Sequence, residues 1–303
     1  MGASELAGVG VAGRHHGEIL QGAVRRGGEV VPCLITMPVG GVGSTARYIS
    51  TETPGLAVVP AWKRKAERAA CLALEFIGAP IAGRLELECA VATGVGLGSS
   101  TCDVVAAIRA VCAFYGASID AHVLARLAIE AEGASDPLMF DGEVVLFAQR
   151  HGRVLESLGN WVPRYTLLSI DTDEGEGGVD TLGLPARDYT DDELSAIEAM
   201  VGRARQAFAE RDAPSIAAIA TESAAMNQRF LSLRHFHQIR ELAKEYRALG
   251  VQISHSGTVA GVLFDEGRGV GSDPDLAAHL YACVRSLGLR PLGLLETYAT
   301  RGD

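Results

Sequence analysis

Thr93-Gly94-Val95-Gly96-Leu97-Gly98-Ser99-Ser100-Thr101-Cys102-Asp103-Val104-Val105 is the stretch on which the reading of this chain turns. Three glycines alternate, two serines follow, and the apolar run Val104–Tyr115 comes next with the pattern of a helix. Glycine lets backbone approach a ligand and adopt positive φ without a Cβ clash. A helix start offers unpaired N–H groups at the positive end of its dipole, which together bind anions. Adjacent hydroxyls can bond phosphate oxygens or complete a magnesium shell. The stretch therefore reads as a polyphosphate cradle, although a plain glycine-rich turn before a core helix fits it equally when it is taken alone.

Two familiar cradles are excluded by the residues. A P-loop requires Gly-Lys-Ser/Thr, and the only lysines of the chain are Lys63, Lys65 and Lys244. A dinucleotide loop requires a glycine where Ser99 stands. Upstream, Leu85, Leu87, Cys89 and Val91 alternate with Glu86, Glu88 and Ala90, so Arg84–Ala92 reads as a half-exposed strand, not a fully buried parallel one.

Three motifs taken together resemble the GHMP kinase superfamily. Gly96-Leu97-Gly98-Ser99-Ser100, with Gly94 before it and Thr101 after it, resembles the superfamily's G-L-G-S-S-A phosphate loop. Gly17-Glu18-Ile19-Leu20-Gln21-Gly22 resembles the G-E-L-x-Q-G signature of the L-threonine kinases of cobalamin biosynthesis. Ser254-His255-Ser256-Gly257-Thr258-Val259-Ala260-Gly261 resembles their A-H-S-G-S-V-x-G loop. The order and spacing of the three fit across nearly the whole chain, whereas each alone is unspecific.

The resemblance implies an α+β fold with an N-terminal ribosomal-protein-S5-like part, expected over 1–158 as the ATP-binding domain, and a C-terminal ferredoxin-like part over 159–303. ATP and acceptor would meet between them. It also implies a magnesium-binding glutamate and a catalytic aspartate downstream of the phosphate loop. Glu130-Ala131-Glu132-Gly133-Ala134-Ser135-Asp136 supplies both types. Asp136 matches the aspartate; the glutamate maps to Glu132 or, with another gap, to Glu130, and Glu132 is preferred. The chemistry agrees: one carboxylate can accept the proton of an alcohol while another, with Ser100, holds Mg²⁺ on the β- and γ-phosphates. Bland readings stand beside these: carboxylates at a helix end as a solvated face, and Gly17–Gly22 as a surface hairpin.

The activity implied is ATP-dependent phosphorylation of the hydroxyl of a small amino acid, L-threonine first and homoserine or another hydroxy amino acid next. A catalytically silent nucleotide-binding regulator is the alternative of another class. A free amino acid needs an acid for its ammonium, for which Glu18 is the candidate, and donors for its carboxylate or hydroxyl, for which Gln21, His255, Ser256, Gly257 and Thr258 are candidates. His15-His16 replaces the relatives' usual Ser-Cys pair at the entrance to the first motif. Being adjacent, the two cannot share one face of a strand, so exposure is expected and a metal pair is not.

Composition bounds the remainder. A chain of 303 residues with 48% apolar and 21% charged residues has ample core for one large domain or two packed ones. A net charge of −10 argues against general nucleic-acid or membrane-surface binding. The six cysteines are dispersed without a C-x-x-C pair, which suggests reduced thiols and a cytoplasmic protein. Residues 1–13 lack the pattern of a signal peptide, and Met1–Leu6 are expected to be disordered. A homodimer is compatible with this reading. Further helices are expected over Trp62–Ile77 (with Trp62 on the inward stripe), Ala121–Glu132 between Asp120 and Gly133, from Thr190-Asp191-Asp192-Glu193 onward, over Pro214–Phe230, from His235 to a stop at Gly250, and over Asp275–Leu287. Strands are expected over Glu29–Thr36 and Ala46–Ser50 with a turn at Gly40–Gly43, and over Tyr165–Ile170, Val251–Ser254 and Leu292–Tyr298. The acidic Asp171–Gly178 reads as a flexible loop or lid.

Overall fold

The computed structural model describes residues 6–90, 97–173, 183 and 187–297. A long antiparallel hairpin, β1 (Gly8–Arg26) and β2 (Glu29–Val59), carries the sheet. Gly40–Gly43, expected as a turn between two short strands, lies inside β2. The pairing jumps there from Ala12↔Ser44 to Gly13↔Val42 and Arg14↔Val39. Extra residues on one strand of a pair are absorbed as bulges, so the glycines bend one strand and do not end it.

The described strands form one nine-stranded sheet in the order β5–β4–β2–β1–β7–β8–β6–β9, with β3 (Ala82–Cys89) paired to β2 off that path. The other ranges are β4 (Val144–Ala148), β5 (Arg153–Gly159), β6 (Tyr165–Asp171), β7 (Gly250–Ile253), β8 (Val259–Asp265) and β9 (Arg290–Glu296). The sheet passes from the first half of the sequence to the second where β1 pairs with β7, Glu18 opposite Ile253.

Seven helices are described: α1 (Arg64–Phe76), α2 (Ser99–Phe114), α3 (Ala121–Glu132), α4 (Asp191–Glu210), α5 (Ala213–Asn227), α6 (Phe236–Glu245) and α7 (Pro274–Ser286). The α3 ends follow the sequence: the Asp120 side chain accepts from the His122 N–H, and Gly133 closes the helix at φ 84°. At α4 the reciprocal Thr190–Glu193 capping box forms as expected. Two expectations are corrected. Trp62 stands before α1 in a turn closed by the Lys63 N–H on the Pro60 carbonyl, and it is 61% exposed, not on the buried stripe. Gly250 opens β7; it does not terminate the preceding helix, which ends at Glu245.

Three apolar clusters hold the layers together. One joins α1, α2 and α3 to the sheet through residues such as Tyr48, Leu74, Leu85, Ile108 and Leu124. The third belongs to the C-terminal half, around Leu168, Ile239, Val262, Phe264 and Leu280. The second draws on both halves, with Ile19, Leu20 and Ile35 against Ile197, Met200, Ile216 and Leu263. Burial of this kind stabilises by about 25 cal/mol per Å² of apolar surface, so this shared cluster fixes β1 between the halves. All six cysteines are free thiols. No helix among the described residues is long and apolar enough to cross a membrane.

Candidate active site

β1 is irregular where the first motif falls. Its register slips between His15 and Glu18 and again between Glu18 and Leu20. Gly17 sits at φ 61°, and a Cβ there would lie 2.1 Å from Gln252 Oε1 and 2.5 Å from the Ile253 carbonyl. Only glycine suits both the left-handed backbone and this approach to β7. The bulge sends neighbouring side chains to different partners. His16 is fully buried; its Nε2 lies 2.7 Å from Ser169 Oγ on β6, and its Nδ1 meets the Gln252 amide on β7. Burial, and then the charge on His15, push its pKa down to about 3, so it is a neutral structural pin.

His15 is also buried and stands with Nε2 2.9 Å from Asp136 Oδ2. The expectation that His15 and His16 are exposed is therefore wrong for both. Adjacent positions do point apart, as expected, but strand β1 is covered on both sides.

α2 starts at Gly98, which has φ 69° and no capping side chain, so the first turn keeps its N–H groups for a ligand. Leu97 and Gly98 lead into the helix, and Ser99, Ser100 and Thr101 form its first turn; Gly94 and Gly96 lie outside the described residues. The Ser100 and Thr101 hydroxyls donate to Glu132 Oε2 and Oε1 at 2.7 and 2.9 Å. Burial raises Glu132 to about 7, against the pull of these hydroxyls. Glu130 instead pairs with Arg68 at 3.2 Å on an exposed face. Of the two readings of the glutamate, Glu132 is the one beside the loop. Ser100 and Glu132 offer hard oxygen donors of the kind Mg²⁺ takes while leaving most of its octahedral positions to water and phosphate. Among the described residues, no group of three or more His, Cys, Asp or Glu side chains is placed to hold a metal by itself.

Asp136 follows the α3 stop in a short turn, with its N–H 3.4 Å from Thr101 Oγ1. Burial would raise its carboxyl, but the charge and hydrogen bond of His15, with smaller help from His255 and Thr101, hold it below the ordinary range. Glu18 is 2% exposed, with the Thr36 hydroxyl beside it and no ion-pair partner among the described residues. Burial, then the charge of Asp136, raise it to about 8 in spite of His15.

The C-terminal turn joins this group. His255 lies within electrostatic reach of Asp136 and His15; burial, then Arg187, push it down to about 4, and its Nδ1 is unpartnered. Ser254, Ser256 and Thr258 form a hydroxyl chain, 3.1 and 2.8 Å apart, and Gly257 turns at φ 70°. Gln21 lies further along β1, its N–H on Ser223 Oγ of α5 at 2.9 Å and its side-chain carbonyl unpartnered. Asn227, at the end of α5, is buried with both polar atoms unpartnered, and Thr36 faces Glu18 across the hairpin. Neither residue belongs to a sequence motif, and nothing local in the sequence marks them. Thr36 also lines, with Arg14 and Pro137, a cavity of about 150 Å³. Residues 174–182, which hold most of the expected lid, lie outside the described residues.

Residues 64–140 match the family GHMP kinases N terminal domain, and residues 204–288 match GHMP kinases C terminal. The chain belongs to the GHMP kinase superfamily and has its α+β fold. Homoserine kinase from Cytophaga hutchinsonii superposes with a TM-score of 0.72 at 15% identity, covering 99% of this chain and 97% of that one. The mevalonate kinase of Methanococcus jannaschii does so at 0.66 and 12%, covering 98% and 99%. In sequence, the chain is 25% identical to an L-threonine kinase of Citrobacter freundii over 186 residues, 61% of this chain and 63% of that protein.

Proposed function

We propose that the chain transfers the γ-phosphoryl group of ATP to the side-chain hydroxyl of a free amino acid, L-threonine before others, giving O-phospho-L-threonine. The observation that carries this reading is Glu18, a buried carboxyl raised to about 8 with no ion-pair partner among the described residues, beside the aspartate that would take the hydroxyl proton. Burial makes Glu18 hold its proton in the ligand-free protein, and a ligand ammonium would stabilise the carboxylate in its place. Sugars and simple alcohols bring no such cation. The similarity to an L-threonine kinase supports the same reading.

In this reading the α2 N-terminus binds the triphosphate, and Glu132 with Ser100 holds Mg²⁺, which when bound neutralises charge on the phosphates. Asp136 accepts the proton of the hydroxyl as its oxygen bonds to phosphorus and the bond to ADP breaks. The loose transition state asks little of the base, so positioning and electrostatics supply most of the acceleration. His255, Gln21 and the Ser256–Thr258 turn are assigned to the acceptor's carboxylate and hydroxyl. ADP release is measured with L-threonine, L-serine, homoserine, isopropanol, mevalonate and a sugar. L-threonine should react best, with L-serine slower by no more than one methyl's worth of binding, ~1–3 kcal/mol. Preference for mevalonate or a sugar would overturn the amino-acid reading.

A further inference from the structure

Three segments distant in sequence meet at one histidine. His15 comes from β1, Gly98 from the start of α2 and Asp136 from the turn after α3. A Cβ at Gly98 would lie 1.9 Å from His15 Nε2 and 3.0 Å from Asp136 Oδ2. The backbone of the phosphate-binding turn is therefore packed directly on the His15–Asp136 pair. We propose that His15 is a positioning residue for the transfer, an imidazolium that keeps Asp136 a carboxylate beside the incoming phosphates. This rests on the kinase reading above.

The argument is one of charge. The charge of Asp136 raises both Glu18 from β1 and Glu132 from α3, so three buried carboxyl groups share one small volume. A triphosphate arriving at the α2 N-terminus adds more negative charge. Like charges at close range drive protonation, and a protonated Asp136 cannot accept the hydroxyl proton. His15 offsets this at contact distance. The groups acting on or around it are Glu18, His16 and Arg14 from β1, Asp136, and His255 from the β7–β8 turn. Burial lowers its pKa, but the charge and hydrogen bond of Asp136, then Glu18, raise it to about 9. At neutral pH the pair is imidazolium and carboxylate. During transfer the acceptor oxygen–phosphorus bond forms, ADP leaves with the electron pair of the broken bond, and the hydroxyl proton moves to Asp136. His15 neither gains nor loses a proton.

The test is the pH dependence of kcat in His15→Gln. Without the cation, the acid limb set by Asp136 should move up by a unit or more. Activity at the acid end of that limb then falls roughly tenfold further than at pH 8, since one pKa unit is a factor of ten in protonation, while the KM for ATP stays within about twofold. His15→Lys, which restores a cation, should bring the limb part of the way back. An equal loss at every pH would make His15 a structural prop and overturn the proposal, as would native-like turnover. Should His15→Gln not fold, ¹⁵N NMR of the imidazoles in ligand-free Asp136→Asn decides. The His15 titration should fall from about 9, and an unmoved titration overturns the proposal. Native enzyme that phosphorylates no acceptor overturns the kinase reading and this proposal with it; turnover with an unmoved limb overturns this proposal alone.

Discussion

Glu132, assigned here to the phosphate side of the site, receives two hydroxyl hydrogen bonds, from Ser100 and Thr101. Glu18, assigned here to the acceptor, has only the Thr36 hydroxyl beside it, and Gln21, Asn227 and His255 keep buried polar atoms without partners. Both carboxyls are almost fully buried and both are raised, to about 7 and about 8. Buried polar groups in folded proteins are nearly always bonded, so a cluster of exceptions calls for an explanation. The difference indicates two kinds of readiness. In the proposed reading the phosphate side is preorganised by its own side chains, whereas the acceptor side awaits a ligand that brings donors and charge.

The change with the largest expected effect acts where the two sides meet. Asp136→Asn keeps the shape but removes the proton acceptor and the partner of His15. kcat should fall by roughly 10²–10⁴, the usual range for a positioned base, with ATP affinity little changed. Near-native turnover would reduce Asp136 to a turn residue and leave the cleft without a centre. On the phosphate side, Glu132→Gln should raise the magnesium needed for half-maximal turnover, and Ser100→Ala should weaken turnover more than ATP binding, as read by metal titration and calorimetry. Glu130→Gln, whose only described ion-pair partner is the exposed Arg68, should change neither, and stability by no more than about 0.5 kcal/mol. Exchange of the Glu130 and Glu132 phenotypes would break the assignment of the preorganised side.

The same contrast explains what could be read in the sequence. The phosphate side is local: Gly98 to Thr101 are consecutive, and Asp120, Gly133 and the α3 periodicity place Glu132 and Asp136 within one helix and turn of each other. Caps and glycines are short-range signals, so they survive translation from sequence to structure. The residues assigned to the acceptor depend on sheet pairing, with Glu18 beside Ile253 and opposite Thr36. The Glu18–Ile253 pairing spans more than two hundred residues, and the Glu18–Thr36 pairing depends on bulges that shift the hairpin register, so neither has a local signature in the sequence. His15 and His16 were misjudged for a related reason. Adjacent residues on a strand point to opposite faces, and one of those faces is solvent only when the strand is covered on one side. Here the bulge at Gly17 and the approach of β7 leave β1 covered on both.

The smallest expected effect tests the unfinished side most directly, through stability instead of turnover. Glu18 in the ligand-free protein holds its proton up to about pH 8, whereas an unfolded glutamate gives it up near 4.5. Between those values the folded state binds more protons than the unfolded one, so the slope of unfolding free energy with pH is negative. Stability is fully present below about pH 4.5 and is lost as pH rises through 8. Glu18→Gln removes this term. It should match the native protein near pH 5 and exceed it at pH 8.5, by on the order of 1–4 kcal/mol, seen as a Tm several degrees higher. Part of that gain is offset, because Glu18 also helps to keep His15 protonated. Function should move the other way: the KM for the amino acid rises roughly tenfold or more, the weight of one charged hydrogen bond, while that for ATP holds. Added L-threonine should stabilise the native protein at pH 8 and Glu18→Gln hardly at all. Identical pH–stability curves for the two proteins would mean that Glu18 is already satisfied, and the contrast between the two sides of the cleft would disappear.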